Sequence, residues 1–176
     1  MNRTIFVLTT FCGLRVSELC GLVMRDFSLH VEKCFIRIRA EIAKGHQQRI
    51  IPLWKLPVAL GYVNMWHSLR LAGGAGRNAP FVCTIARDKG GRHLNRRNAR
   101  RRWIRCCRVL GKERQGQLTI HDGRHTAASH LLAGGWPLAA VRDLLGHASI
   151  STTSVYTHVV VDSDVPDDPF QFAAQE

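Results

Sequence analysis

No run of about eighteen uninterrupted apolar residues occurs in this 176-residue chain, so no segment reads as a membrane-spanning helix. The longest candidate, residues 5–11, is soon followed by Arg15 and Glu18, and it makes a poor signal peptide. Cysteine occurs at positions 12, 20, 34, 83, 106 and 107, but never as a CxxC pair or an even ladder of spacings. The six read as reduced, mostly small core residues. Vicinal cysteines on a helix point apart, which argues against a zinc site built from Cys106, Cys107 and His93, and no metal site is assigned. A P-loop, a GxSxG elbow, an HExxH helix and an EF-hand are all missing, leaving nucleotide hydrolysis, serine hydrolysis and zinc proteolysis without support. There is no internal repeat, and the length fits one domain or little more.

Acidic residues are also scarce: 13 Asp and Glu stand against 25 Lys and Arg, a formal charge of +12. The scarcity is uneven. Residues 162–176 hold Asp162, Asp164, Asp167, Asp168 and Glu176 with no basic residue, a tail of charge −5, which leaves 25 basic against 8 acidic residues over 1–161, or +17. Such an excess calls for a polyanionic partner, because each Lys or Arg laid on a phosphate releases condensed counterions. Nucleic acid leads, with an anionic membrane surface behind it; charge alone does not separate an enzyme from a binder, and ribosome association would fit the same number.

The pattern along the chain is mainly helical with one small antiparallel β-sheet, an α+β class. Residues 4–12 read as a helix running to Gly13, and a second short helix begins near Ser17. Residues 34–40 alternate like a strand and residues 49–53 give its partner, forming a hairpin with Lys44 near the tip. Residues 57–71 read as a helix, 73–77 as a loop and 81–85 as a short edge strand. Between Arg87 and Arg114 lie twelve basic residues against only Asp88 and Glu113. The middle of this run is expected to be a helix packing through Ala99, Trp103, Cys106 and Leu110, with arginines around the rest. One sign dominates, so Arg96, Arg97, Arg100, Arg101 and Arg105 are read as phosphate contacts rather than as a merely solvated face. Further helices are expected over 124–133, stopped by Gly134-Gly135, over 137–145, ended by Gly146, and over 155–161.

His121, Arg124, His147 and Tyr156 stand out. His121 and Arg124, three apart at a helix start, can face one site together; His147 follows the helix-ending Gly146, and Tyr156 lies nine residues on. From Gly13-Leu14-Arg15-Val16-Ser17-Glu18-Leu19 through Lys44-Gly45-His46 to Tyr156-Thr157-His158, the chain resembles the catalytic domain of the tyrosine recombinases, the phage-type integrases and chromosome-dimer resolving enzymes. The resemblance covers nearly the whole chain. It implies that Arg15 is the first motif arginine, Lys44 the hairpin lysine, His121 and Arg124 the HxxR pair, His147 the second histidine and Tyr156 the nucleophile. Gly123 departs from the family pattern, standing where relatives often have Leu; this removes a packing side chain but no reactive group.

The implied chemistry suits these residue types. Breaking a DNA strand while conserving its bond energy needs a covalent intermediate, and a tyrosine phenoxide attacking phosphorus gives a 3′-phosphotyrosine ester. A free phenol has a pKa of about 10, so forming the phenoxide at pH 7 costs roughly 4 kcal/mol without a base or cationic surroundings. His121 is the candidate base. Arg15 and Arg124 can hold the non-bridging oxygens and stabilise the transition-state charge without a metal. His147 can donate a further hydrogen bond, and Lys44 can protonate the departing 5′-hydroxyl. Glu18 matches an acidic position of the family and is read either as orienting Arg15 or His121 or as half of a surface helix pair. His125, His130 and His158 are left as structural or phosphate-adjacent.

The resemblance further implies a site-specific recombinase or integrase of a mobile element or chromosome, acting in DNA recombination and DNA integration. It implies double-stranded DNA as partner, a homotetramer on DNA, no cofactor, and a cytoplasmic, nucleoid-associated setting, bacterial or phage-encoded. A type IB topoisomerase and a non-catalytic DNA-binding relic are the alternatives, and the short motif spacing favours a recombinase. The catalytic domain is assigned to residues 1–161 and the acidic tail to 162–176, with the family's amino-terminal helical domain expected to be absent from what reads as a fragment. In the tail, Phe170 and Phe172 are expected to dock on a partner or on the same molecule; disorder and an acidic flap over the basic cleft are the rivals.

Overall fold

The computed structural model describes residues 1–84 and 91–146. Helix α1 (Asn2–Thr10) lies at the centre: Ile5, Leu8 and, just past its end, Cys12 are wholly buried. Around it pack α3 (Pro57–Ala72), α4 (Arg96–Cys106) and α6 (Ile120–Ala133). Helix α2 (Val16–Gly21) follows α1 across Gly13, whose φ of 63° is left-handed and where any Cβ would collide with the Leu145 side chain. Strands β1 (Phe27–Ser28), β2 (Phe35–Ile38) and β3 (Arg49–Pro52) form an antiparallel sheet in the order β1-β2-β3, with Ile36 opposite Ile51 and Ile38 opposite Arg49. Ile36, Ile38 and Ile51 turn into the core, which is the alternation that made the hairpin legible.

A second antiparallel pair, β4 (Cys83–Thr84) with β5 (Arg92–His93), brings the chain to α4. The edge strand expected over 81–85 is therefore shorter, and Ile85 lies outside the described residues. Helix α5 (Lys112–Gln117), which has no buried residue, leads to α6, and α7 (Leu138–Leu145) closes the described chain at Gly146 in the left-handed conformation. The class is α+β, mainly helical, as the pattern indicated. The helix expected over 155–161 and the tail 162–176 lie outside the described residues.

The packing face of α4 differs from the expected one. Ala99 and Trp103 are buried, but the next core residue is Cys107, while Cys106 is only half-buried and Leu110 is 51% exposed. The α-helix ends at Cys106 and Cys107–Leu110 winds on as a tighter 3₁₀ turn, so the four-residue step to Leu110 no longer returns to the same side. All six cysteines are free; Cys12, Cys83 and Cys107 are buried and the other three half-buried. Burial pushes the Cys12 thiol up to about 12, which keeps it an inert core group at neutral pH.

Gly123 leaves no void. The Trp103 indole and the Thr10 hydroxyl fill the space beside it: a Cβ on Gly123 would lie 2.9 Å from Thr10 Oγ1 and 3.0 Å from Trp103 Cζ2 and Nε1. The Trp103 ring is itself stacked on Phe6 at 5.9 Å between centroids. A large side chain on α4 has taken the volume that α6 gave up, so the departure from the family pattern does not weaken packing there.

Candidate active site

The first motif begins at the helix junction that Gly13 makes possible. Arg15 is the N-cap of α2, in extended conformation, and Glu18 is its third residue. The Arg15 backbone N–H donates to Glu18 Oε2 at 2.9 Å and its Nη1 donates to Oε1 at 3.0 Å. Glu18 is wholly buried. A buried carboxylate needs its charge and its lone pairs matched, and the second match comes from β3: Arg49 Nη1 and Nη2 fork onto Oε1 and Oε2 at 2.9 and 2.7 Å. Burial by itself would raise the Glu18 pKa; the Arg49 fork and the Arg15 contacts outweigh it and hold the carboxyl below its ordinary range. The surface-pair alternative for Glu18 is thus excluded: of the two expected partners it holds Arg15, and it holds Arg49 as well.

Helix α6 supplies the second arginine. The helix starts at Ile120 rather than near Arg124, because Asp122 Oδ2 accepts from the Thr119 backbone N–H at 2.6 Å and from its hydroxyl at 2.8 Å, closing the amino-terminal turn. These bonds hold the Asp122 carboxyl below its ordinary range. The four-residue correction puts His121 and Arg124, three apart, within the first turns of one formed helix. His121 is exposed; Arg124 is 9% exposed and reaches inward. Its Nη1 donates to Gly13 O at 2.5 Å and its Nη2 to Leu145 O at 2.6 Å.

The three guanidiniums converge on the end of α7. Arg49 Nε donates to Leu144 O at 2.7 Å, Arg124 Nη2 to Leu145 O, and Arg15 Nη2 to Gly146 O at 2.7 Å. Three consecutive carbonyls at the negative end of a helix each take one arginine from a different element. Gly146, with φ 64°, lets the chain turn there while leaving room for Arg49, whose Nη1 would be 3.0 Å from a Cβ. Three positive charges face one carboxylate in this cluster. Burial first, and then the neighbouring charges of Arg15 and Arg49 against the opposing pull of Glu18, bring the Arg124 pKa down to about 10. Arg124 stays protonated at pH 7, in a place where an additional anion relieves repulsion.

Lys44 is exposed in the turn between β2 and β3, as the hairpin reading placed it, and it makes no ion pair among the described residues. The structure brings Arg15 and Arg124 into one cluster and sets His121 one turn before Arg124. His147 and Tyr156 lie outside the described residues. Arg49 was missed by sequence reasoning, which took it for the leading residue of a strand; its one signal was a basic residue heading the apolar run Ile50-Ile51-Pro52-Leu53.

Along α4, Arg96, Arg97, Arg100, Arg101 and Arg105 are all exposed, with Asn95 capping the helix through a 2.8 Å bond from the Asn98 backbone N–H. Arg102 turns instead to Asn2 Oδ1 at 2.9 Å. Helix α4 therefore carries a basic face with no acidic residue in it, a suitable surface for a phosphate backbone. His93, considered with Cys106 and Cys107 as a metal ligand, has its Nδ1 2.9 Å from Cys20 O.

The model of the phage integrase family matches residues 1–162. Among curated proteins, the tyrosine recombinase XerC of Corynebacterium efficiens is 39% identical over 147 residues, covering 84% of this chain and 43% of that protein. Tyrosine recombinase XerD of Halalkalibacterium halodurans is 35% identical over 165 residues, covering 90% and 49%. The chain thus spans about half the length of the curated relatives it matches. Among solved structures, that of XerA recombinase superposes with a TM-score of 0.66 at 23% identity, covering 83% of this chain and 50% of that one. The pre-cleavage complex of XerH site-specific recombinase bound to difH substrate gives 0.60 at 24%, covering 84% and 40%.

Proposed function

This chain belongs to the phage integrase family and has the fold of the tyrosine recombinase catalytic domain, and from that premise we propose that it breaks and rejoins DNA strands through a 3′-phosphotyrosine intermediate. The observation that carries the proposal is the cluster of Arg15 and Arg124, preset by a buried carboxylate and by the carbonyls of α7 around a surplus of positive charge.

In this reading the scissile phosphate enters between Arg15 and Arg124, whose guanidiniums bind its non-bridging oxygens. Tyr156 gives up its proton to His121 and attacks phosphorus, while the P–O bond to the 5′ carbon side breaks. Lys44 protonates the departing oxygen, and His147 adds a hydrogen bond to the phosphoryl group. The pentacoordinate transition state gains negative charge, and fixed arginines serve it without reorganising. Attack by the 5′-hydroxyl of another strand reverses the steps and yields the exchanged product. The arginines supply the positive charge otherwise given by a metal, so the reaction is assigned no metal and no cofactor.

Residues 1–161 form the catalytic unit in this proposal, with residues 162–176 a separate acidic tail that joins protomers of a DNA-bound tetramer. The exposed arginines of α4 lie along the duplex. Double-stranded DNA as substrate sets the place of action at the nucleoid, in the cytoplasm. The test is incubation with a nicked suicide duplex, which traps a covalent adduct when the cut strand diffuses away. The wild-type chain should give the adduct and Tyr156→Phe should bind the duplex and give none; an adduct at normal yield from Tyr156→Phe would refute the assignment.

A further inference from the structure

The loop that carries Lys44 is tied to α2 on both of its flanks. Before Lys44, Arg39 Nε donates to the buried Asp26 at 2.7 Å and its Nη2 donates to Gly21 O, the last residue of α2, at 3.0 Å. The Arg39 carbonyl accepts from the Ile42 and Ala43 backbone N–H groups at 3.2 and 3.0 Å, folding the loop back over the same spot. The Ile42 side chain then lies directly on Gly21: a Cβ there would come 2.6 Å from Ile42 Cγ2 and 3.1 Å from its Cβ. Ala43 is buried, and Lys44 follows at once, exposed. Gly45 and His46, with φ of 81° and 55°, reverse the chain immediately after it. After Lys44, Arg49 returns to α2 through its fork on Glu18.

Helix α2 therefore holds Arg15 at its start and the Lys44 loop at its end. A β-branched side chain seated on a glycine is a stiff contact, since Ile42 has few rotamers to give and Gly21 has no side chain to yield. We propose that Ile42, keyed onto Gly21, is a positioning residue that sets Lys44 for proton delivery to the 5′ leaving oxygen. The inference rests on the reading of Lys44 as that proton donor. It commits a residue with no reactive group to one step, departure, and to neither DNA binding nor the attack by Tyr156.

The step can be isolated chemically. An oxygen leaving group at the 5′ position needs a proton, whereas a sulfur in its place departs as a thiolate without one. The chain is assayed in single turnover on two suicide duplexes that differ only in that bridging atom, as wild type, Lys44→Ala, Ile42→Ala and Gly21→Ala. Ile42→Ala is expected to slow cleavage of the oxygen substrate by about tenfold or more while leaving the sulfur substrate near the wild-type rate. Gly21→Ala, which displaces the same side chain from the other side of the contact, should give the same split, and its far-ultraviolet circular dichroism checks that it is folded. Adding Ile42→Ala to Lys44→Ala should cost nothing further on oxygen. Equal slowing on both substrates by the Ile42 and Gly21 variants, or no slowing on either, overturns the inference while Lys44 keeps its role. Equal slowing by Lys44→Ala itself removes the proton donor, and the inference with it.

Discussion

Gly123→Leu restores the residue that the resembling family often carries, and in this chain it should destabilise. A Cβ at position 123 falls 2.9 Å from Thr10 Oγ1 and 3.0 Å from two atoms of the Trp103 indole. Neither neighbour is a loose end. Trp103 is 3% exposed and stacked on Phe6, and its Nε1 faces Thr10 Oγ1 at 3.4 Å. Replacing a helix-interior glycine by alanine gains up to about 1 kcal/mol in propensity, while overpacking of this kind costs about 1–3 kcal/mol. Gly123→Ala should therefore come out between neutral and about 2 kcal/mol destabilised. Leucine drives three more carbons into the same wall for little further propensity, which puts Gly123→Leu near 3 kcal/mol of destabilisation. Trp103→Leu alone should cost about 3 kcal/mol through the space it opens. Together the two changes refill one volume, so the double variant should recover about 2 kcal/mol of the summed losses. Urea unfolding followed by circular dichroism gives all four corners of the cycle without relying on tryptophan emission. Additive losses, or a Gly123→Leu chain more stable than wild type, would refute the exchange of volume between α6 and α4.

Glu18→Gln should cost about 3 kcal/mol of stability at pH 7, because a buried charge pair is broken and an amide N–H₂ is turned toward guanidinium donors. Glu18 titrates lower in the folded chain than its ordinary 4.5. Its contribution is therefore complete above that value and drains away as pH falls through the folded-state value, so the gap between wild type and Glu18→Gln should close in acid; a gap unchanged from pH 7 to pH 3 would contradict the buried pairing. Replacing Arg97 and Arg101 on the exposed face of α4 by Gln should lower the slope of log affinity for duplex DNA against log salt by about 2, as read by fluorescence anisotropy, and an unchanged slope would take those two residues off the phosphates.

The elements with strong periodicity were legible in the sequence. Residues 57–71 of α3 and the β2–β3 pair emerge almost at their observed bounds, because their apolar positions repeat at the helix or strand period and end on glycine or proline. The two-residue strands β1 and β5 have no room for a period, and α5 buries nothing, so neither announces itself. At the site, Arg15 and Arg124 were found through local motifs. Arg49 was not, because its partners lie 31 and 95 positions away and no local pattern records them. The start of α6 was misplaced because Asp122 was passed over, although Thr-x-x-Asp ahead of a helix resembles a cap.

The clasp on the end of α7 bears on how the protein comes off the ribosome. Arg124 reaches Gly13 across 111 positions and Arg15 reaches Gly146 across 131, so the pocket joins stretches made far apart in time. At about 5–20 residues per second, α2 with its Glu18 waits of order ten seconds for the carbonyls of α7 to be synthesised. Contacts of such long separation are closed late and slowly. A nascent or truncated chain thus has its basic helices but not the fixed arginine cluster to which the proposed cutting is assigned. The arginine cluster cannot close before the chain has been made through residue 146, and in the proposed reaction the nucleophile Tyr156 comes ten residues later still.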